Sequence, residues 1–318
     1  MTPAPASNVF DDCWFLTGPT GGGKTEVAIR LAERLDAQIV SMDSMAVYRH
    51  MNIGTAKPTP DQQRRAVHHL IDIVDPDENY SLARYLEDAE KAVAQIRDQR
   101  KEVLFVGGTP LYLKGLLRGI FEGPQADPVL REELHHLAET SEPGELHRRL
   151  QSIDPPTAER LHPNDTVRLI RAIEVFEKTG QPISRLQEQF EHGREAEACR
   201  VFVLHWEREA IYDRINRRVE MMLEEGLLDE VRQLRTDFPR LSRTASQGVG
   251  YREMLDFLDG KLPDLATTVE LIQQNTRRFA KRQYTWFRGL SECRFTDVAE
   301  PLDASSIVTT ILDAGKCP

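Results

Sequence analysis

A chain of 318 residues with ordinary apolar content is long enough for one large or two modest domains with an ample core, and its formal charge of −10 argues against an indiscriminate nucleic-acid binder. Four cysteines, Cys13, Cys199, Cys293 and Cys317, lack C-x-x-C spacing, so neither a zinc site nor a disulfide framework is indicated and they read as reduced thiols. No apolar run approaches the ~20 residues that span a bilayer, and Met1 to Asn8 lacks the cationic start and apolar stretch of a signal peptide, so a cytoplasmic protein is expected.

The apolar run Cys13-Trp14-Phe15-Leu16 leads into Gly18-Pro19-Thr20-Gly21-Gly22-Gly23-Lys24-Thr25, which satisfies G-x-x-x-x-G-K-[ST] and is followed by a helical pattern. In that strand–loop–helix context the glycines turn successive backbone N–H groups onto an anion. The helix N-terminus adds partial positive charge, Lys24 supplies an ammonium, and Thr25 is placed for a divalent metal on the same phosphates. The motif predicts phosphate binding without saying which phosphate compound.

Val27, Ala28, Leu31 and Leu35 repeat at helical spacing. Gln38 to Met42 reads as a short buried strand ending at Asp43-Ser44, and ligands of open α/β sheets gather at the carboxyl ends of strands. Position alone leaves Asp43 two readings: a site carboxylate beside the phosphate loop, or a cap on the following turn. Met45 to Pro60 is polar, broken by Gly and Pro, and reads as loop. His68 to Asp75 is expected to be another short strand; its adjacent histidines point to opposite faces, so they read as structural imidazoles and not as a metal pair.

Leu82, Tyr85, Leu86, Ala89, Val93 and Ile96 form one helical stripe, and Val103 to Val106 a fully buried strand. The β–α alternation predicts a P-loop-type α/β fold, a parallel sheet flanked by helices. Where a P-loop ATPase commonly ends a buried strand in a magnesium-holding Asp, this strand ends in Gly107-Gly108-Thr109. Either the glycines admit a bulky group and Thr109 offers a hydroxyl at the strand mouth, or the three residues make a tight turn into a helix.

From Gly123 the texture changes to helical patterns separated by Pro-rich breaks, until Val201 to Leu204 returns to strand character. An all-helical insertion over 123–198 is therefore expected within a core of 1–122 and 199–318. Ile211, Ile215, Val219 and Leu223 line a helix that places Arg214 and Arg218 together, with a solvated basic face as the plain reading. Arg277 to Arg288 carries five cations, four aromatics and no acid, a local basic face on an acidic protein. Asp303 onward suggests a minor closing element.

Taken together, the phosphate loop, Asp43-Ser44-Met45-Ala46-Val47-Tyr48, Asn52 to Pro58, Val106 to Tyr112, His162 to Asp165 with Arg168 and Arg171, Gln247 to Arg252 and Lys281 to Arg288 resemble the tRNA dimethylallyltransferase family of bacterial type. The resemblance extends from Gly18 to Arg288. It implies transfer of a dimethylallyl group from its diphosphate to N6 of the adenosine on the 3′ side of the anticodon, with release of pyrophosphate. It further implies Mg²⁺ as cofactor and tRNA and dimethylallyl diphosphate as partners; a monomer is the default expectation, with the oligomeric state left open by the sequence. Asp43 would be the general base, Thr25 would serve the metal, and Arg218 would bind pyrophosphate. The residues implied to meet tRNA are Asp43, Ser44, Met45, Ala46 and Thr109; Arg131 with Val167, Arg168, Leu169, Ile170 and Arg171; Gln247, Gly248, Val249, Gly250, Tyr251 and Arg252; and Lys281 and Arg282. Ala46 departs from the Gln that many relatives carry. A P-loop small-molecule kinase and a non-enzymatic RNA-binding protein are the competing readings, and the Gly-Gly-Thr strand end argues against the kinase.

Overall fold

Six short segments pair into one sheet: β1 (Trp14–Thr17), β2 (Ala37–Ser41), β3 (His68–His69), β4 (Glu102–Gly107), β5 (Val201–Trp206) and β6 (Cys293–Val298). Every pairing is parallel, in the order β3-β2-β4-β1-β5-β6. The computed structural model that shows this describes residues 8–121, 123–190 and 193–316. Central strands of a parallel sheet are covered on both faces, which is why β1 and β4 read as unbroken apolar runs instead of alternating ones. β1 lies between β4 and β5, so its carboxyl end opens in the middle of the sheet and the phosphate loop follows it directly.

Helix Lys24–Leu35 buries Val27, Ala28, Ile29, Leu31 and Ala32 in a core shared with Leu16, Leu104, Phe202 and Ile215. Two expectations need correction. The predicted strand from His68 to Asp75 is only two residues long, because Leu70 and Asp72 take left-handed backbone angles of 60° and 56° that end the pairing. Each imidazole of the pair is satisfied within the fold, His68 Nδ1 lying 2.7 Å from Ala66 O and His69 Nε2 2.7 Å from Gln38 Oε1. Beyond residue 290 the chain does more than close the fold: β6 extends the sheet, and helix Ala304–Gly315 buries Ile307, Val308 and Ile311 in the same core. β6 escaped notice because an edge strand is half solvated, and Cys293 to Val298 shows no apolar run.

The chain divides into a unit of Met1–Leu117 with Gly193–Pro318 and a unit of Arg118–His192. The second begins and ends about five residues earlier than the 123–198 read from the sequence. Residues 194–198 belong to the sheet unit, where Arg194 pairs with Asp11 at 2.9 Å and Ala196 O accepts from Arg294 Nε at 2.7 Å. Among its described residues the second unit is helical throughout, around Leu134, Leu146, Leu150, Leu169, Ile170 and Ile173.

One carboxylate organises this helical unit. Glu174, fully buried, accepts Arg131 through both oxygens at 2.9 and 2.8 Å, Arg171 at 2.6 Å, and the Asp127 N–H at 2.7 Å. Burial pushes its pKa up, but these hydrogen bonds and charges outweigh burial and hold it at about 2. A depressed pKa contributes stability that is present above the unfolded value of 4.5 and is lost as pH falls toward 2. Glu174→Gln should therefore be less stable than wild type near neutrality. In urea titrations at a series of pH values the gap should narrow between about pH 5 and pH 2; a constant gap would contradict the assignment.

Candidate active site

The phosphate loop is shaped by its glycines, and its backbone is held by side chains from three other elements. Gly21 and Gly23 adopt φ of 77° and 76°, the left-handed region that a side chain would strain. From β5, the buried Trp206 donates its indole N–H to Gly22 O at 3.0 Å. From helix Arg208–Glu224, Arg214 lies over the Trp206 ring at 4.4 Å, donates Nε to Gly21 O at 2.9 Å and pairs with Glu300 at 2.6 Å. From helix Leu265–Arg288, Gln283 accepts the Thr20 N–H at 3.0 Å. Pro19, Gly18 and Lys24 complete the loop, with Lys24 Nζ donating to Pro19 O at 2.8 Å and to Gly18 O at 3.1 Å. Thr25 stands in the first turn of the helix that follows.

Positive charge is concentrated here. Arg218, one turn beyond Arg214, donates to the Thr20 hydroxyl at 3.3 Å and stands close enough to Lys24 that the two cations disfavour each other. Burial first, and then Arg218, push the Lys24 ammonium down to about 8, while Asp43 pulls the other way. Burial lowers the Arg218 pKa as well, again opposed by Asp43. The plain reading of Arg214 and Arg218 as a solvated basic face is not what the fold does with them: both bond the loop. Two partly desolvated cations with one carboxylate acting on both favour an anion with several oxygens.

Asp43 follows β2 at its carboxyl end, where it caps the turn and lies within electrostatic reach of the phosphate loop. Its Oδ1 accepts the Met45 N–H at 2.8 Å and the Ala46 N–H at 3.4 Å, capping the turn. Among the described residues Oδ2 makes no hydrogen bond, while the charge acts on Lys24 and Arg218. At Thr109 the strand turns into a helix, and the hydroxyl at the strand mouth is engaged by Ser44. Thr109 starts helix Pro110–Arg118, its N–H donates to Met42 O at 3.3 Å, and its hydroxyl accepts the Ser44 N–H at 3.0 Å. Gly107 has to be glycine because Met42 O occupies the place of a Cβ.

Gln247 to Arg252 packs on the loop that carries Asp43. Gly248 leaves room for the Met45 side chain, and Gly54 lies against the Tyr251 ring. Glu230 joins the two: its carboxylate accepts the N–H groups of Asn52, Ile53 and Gly54 at 2.8, 2.8 and 3.3 Å and the Tyr251 hydroxyl at 2.6 Å. Beneath the loop the buried Lys57 bonds Tyr48 O, Asn52 and Asp72. Gln247 is exposed, Val249 and Arg252 are half-buried, and Gly248, Gly250 and Tyr251 are buried.

Several residues expected to touch a partner present no side chain to one. Ala46 and Tyr251 are 6% and 1% exposed, and Leu169 and Ile170, at 0% and 2%, are core residues of the helical unit. Their motifs mix surface and core positions, as a helix with a 3.6-residue period must. Val167 is exposed at 51%, Arg168 is exposed and pairs with Asp165 at 3.1 Å, and Arg131 and Arg171 are held by Glu174. Lys281 and Arg282 lie on the exposed face of helix Leu265–Arg288. Trp206, Glu230 and Gln283 escaped the sequence reading. Only Arg214 had a signal, its four-residue spacing from Arg218.

Residues 46–290 match the family model described as IPP transferase. A tRNA dimethylallyltransferase of Thermotoga maritima is 45% identical over 288 residues, covering 89% of this chain and 93% of that protein. Among solved structures, the full-length tRNA isopentenylpyrophosphate transferase of Bacillus halodurans is 36% identical with a TM-score of 0.68, over 96% of this chain and 97% of that one. A eukaryotic dimethylallyltransferase seen in crystallographic snapshots acting on tRNA is 25% identical with a TM-score of 0.76, over 95% of this chain and 78% of that one.

With Lys24 titrating near 8, an anion binds best below that pH, where the ammonium is charged, and loses affinity as pH rises through it. Sulfate, whose own charge is constant over this range, should bind about tenfold more weakly at pH 9 than at pH 7 by calorimetry. A flat profile would place the Lys24 titration elsewhere.

Proposed function

The chain belongs to the tRNA dimethylallyltransferase family and transfers a dimethylallyl group from dimethylallyl diphosphate to N6 of the adenosine 3′ of the anticodon in tRNA; we propose that Asp43 and the phosphate loop carry out this reaction across the crevice at the carboxyl ends of β1, β2 and β4. The observation that carries the proposal is the grouping of Lys24, Arg218 and Asp43, two desolvated cations that repel each other beside one carboxylate. A diphosphate brings the negative charge that such a pair lacks.

In this reading the loop N–H groups, Lys24 and Arg218 hold the diphosphate, and the Asp43 carboxylate faces the adenine amine. The N6 lone pair is delocalised into the ring, so the amine is a poor nucleophile until its proton is removed. The N6–carbon bond forms, the allylic carbon–oxygen bond breaks, the proton passes from N6 to Asp43, and the electron pair leaves on pyrophosphate. Lys24 and Arg218 stabilise the charge that develops there. The Oδ1 bonds to Met45 and Ala46 fix the carboxylate while leaving Oδ2 for the proton.

The donor set suits Mg²⁺. That ion is commonly held by one or two protein oxygens plus substrate phosphates, and Thr25 offers a hydroxyl in the first turn after the loop. Among the described residues there is no group of three His, Cys, Asp or Glu that would form an all-protein cage. When bound, the ion would neutralise charge on the leaving pyrophosphate.

For tRNA we propose Ser44, Met45, Thr109, Gln247, Val249 and Arg252 around the entering base, Lys281 and Arg282 on the basic helix, and Arg131, Val167, Arg168 and Arg171 on the helical unit. An unpaired anticodon loop suits them, because its bases can leave the stack for a few kcal/mol. Among the described residues no helix is long and apolar enough to cross a membrane. We place the enzyme in the cytoplasm as a monomer, since one chain supplies every residue invoked.

Asp43→Asn should keep its affinity for tRNA and lose turnover by about 10²–10⁴ in single-turnover assays, the usual consequence of removing a general base. Turnover within threefold of wild type would return Asp43 to turn capping alone. Arg218→Ala should raise KM for dimethylallyl diphosphate and lower kcat together, with KM for tRNA steady; unchanged values for both substrates would remove Arg218 from the site.

A further inference from the structure

We infer that Gln283 is a positioning residue for the diphosphate, a neutral clamp that sets the distance between the phosphate loop and the Gly107-Gly108-Thr109 turn. The inference rests on the diphosphate reading of the loop given above. Gln283 is 2% exposed on helix Leu265–Arg288, between surface residues Arg282 and Thr285. Its amide makes two hydrogen bonds of opposite sense to two backbones: Oε1 accepts the Thr20 N–H at 3.0 Å, and Nε2 donates to Gly108 O at 2.5 Å.

The fit is close. Nε2 lies 2.6 Å from where a Gly108 Cβ would stand, so the turn admits the amide only because residue 108 is glycine. An amide can accept from the loop and donate to the strand end with no net charge and with its two groups set apart on one planar head; a carboxylate cannot donate and an ammonium cannot accept. Neutrality matters here because Lys24 Nζ lies 3.5 Å from that same Cβ point. A carboxylate at 283 would compete with diphosphate for Lys24.

The two turns that Gln283 joins carry both halves of the site. Thr20 receives Arg218 on its hydroxyl, and Thr109, next to Gly108, fixes Ser44 beside Asp43. The neighbouring Tyr284 anchors the helix, its hydroxyl accepting the Trp206 N–H at 2.9 Å. The helix that presents Lys281 and Arg282 outward thus inserts its buried face between the diphosphate loop and the strand end.

The test is steady-state kinetics on the full-length enzyme with Gln283→Met, similar in length and apolar, and Gln283→Glu, which keeps the acceptor for Thr20. Gln283→Met should raise KM for dimethylallyl diphosphate by about tenfold or more while KM for tRNA stays within about twofold. Gln283→Glu should raise it further through its charge beside Lys24, and this variant decides the matter if the Met variant does not fold. Folded variants with an unchanged diphosphate KM, or with both KM values rising equally, would overturn the inference and leave Gln283 as helix packing. A wild-type enzyme that dimethylallyl diphosphate does not saturate would sink the loop reading and the inference together.

Discussion

Lys24 and Arg218, each partly withdrawn from water, meet at the phosphate loop, and contacts from distant segments hold that loop in place. Each lowers the charged form of the other or is lowered by burial, and Asp43 compensates only in part. Such an arrangement is unfavourable in itself and persists because the surrounding fold over-determines it. The gain is preorganisation: a diphosphate would meet donors already aimed, with little to reorganise as charge builds on the leaving oxygens.

What over-determines the site is a ring of contacts from segments far apart in the chain. Trp206, Arg214 and Gln283 each bond a different peptide of the phosphate loop. Glu230 ties the loop after Asp43 to Tyr251. Glu230 accepts three backbone N–H groups at once, and a polar group left buried without a partner would cost about 1–3 kcal/mol. The helical unit uses the same device, with Glu174 holding Arg131 and Arg171. Arginines held this way expose their remaining donors at reduced entropic cost, which suits them to phosphate and base edges.

The sheet unit explains the absence of the strand-end Asp that P-loop ATPases commonly use. β4 ends in glycines because Met42 O and the Gln283 amide approach its backbone. The carboxylate instead stands at the end of β2, where it faces the amine of a second substrate in the proposed reaction. Displacement at carbon needs a base near the acceptor more than a carboxylate near the metal.

The amino-acid sequence by itself determined the phosphate loop, the strands β1, β2, β4 and β5, the helical character of residues 123–190, and the placement of Asp43 and Thr109 at strand ends. These depend on local periodicity and on glycine chemistry, which neighbouring residues express directly. It could not separate Val167, Arg168 and Arg171 from Leu169 and Ile170, because a motif string does not show which face of the helix is buried. Nor did it disclose β6, whose stability comes from pairing with β5. Trp206, Glu230 and Gln283 were decided by tertiary structure alone: the backbone groups that their side chains bond lie at least 175 residues away, and a hydrogen bond across that separation leaves no local pattern.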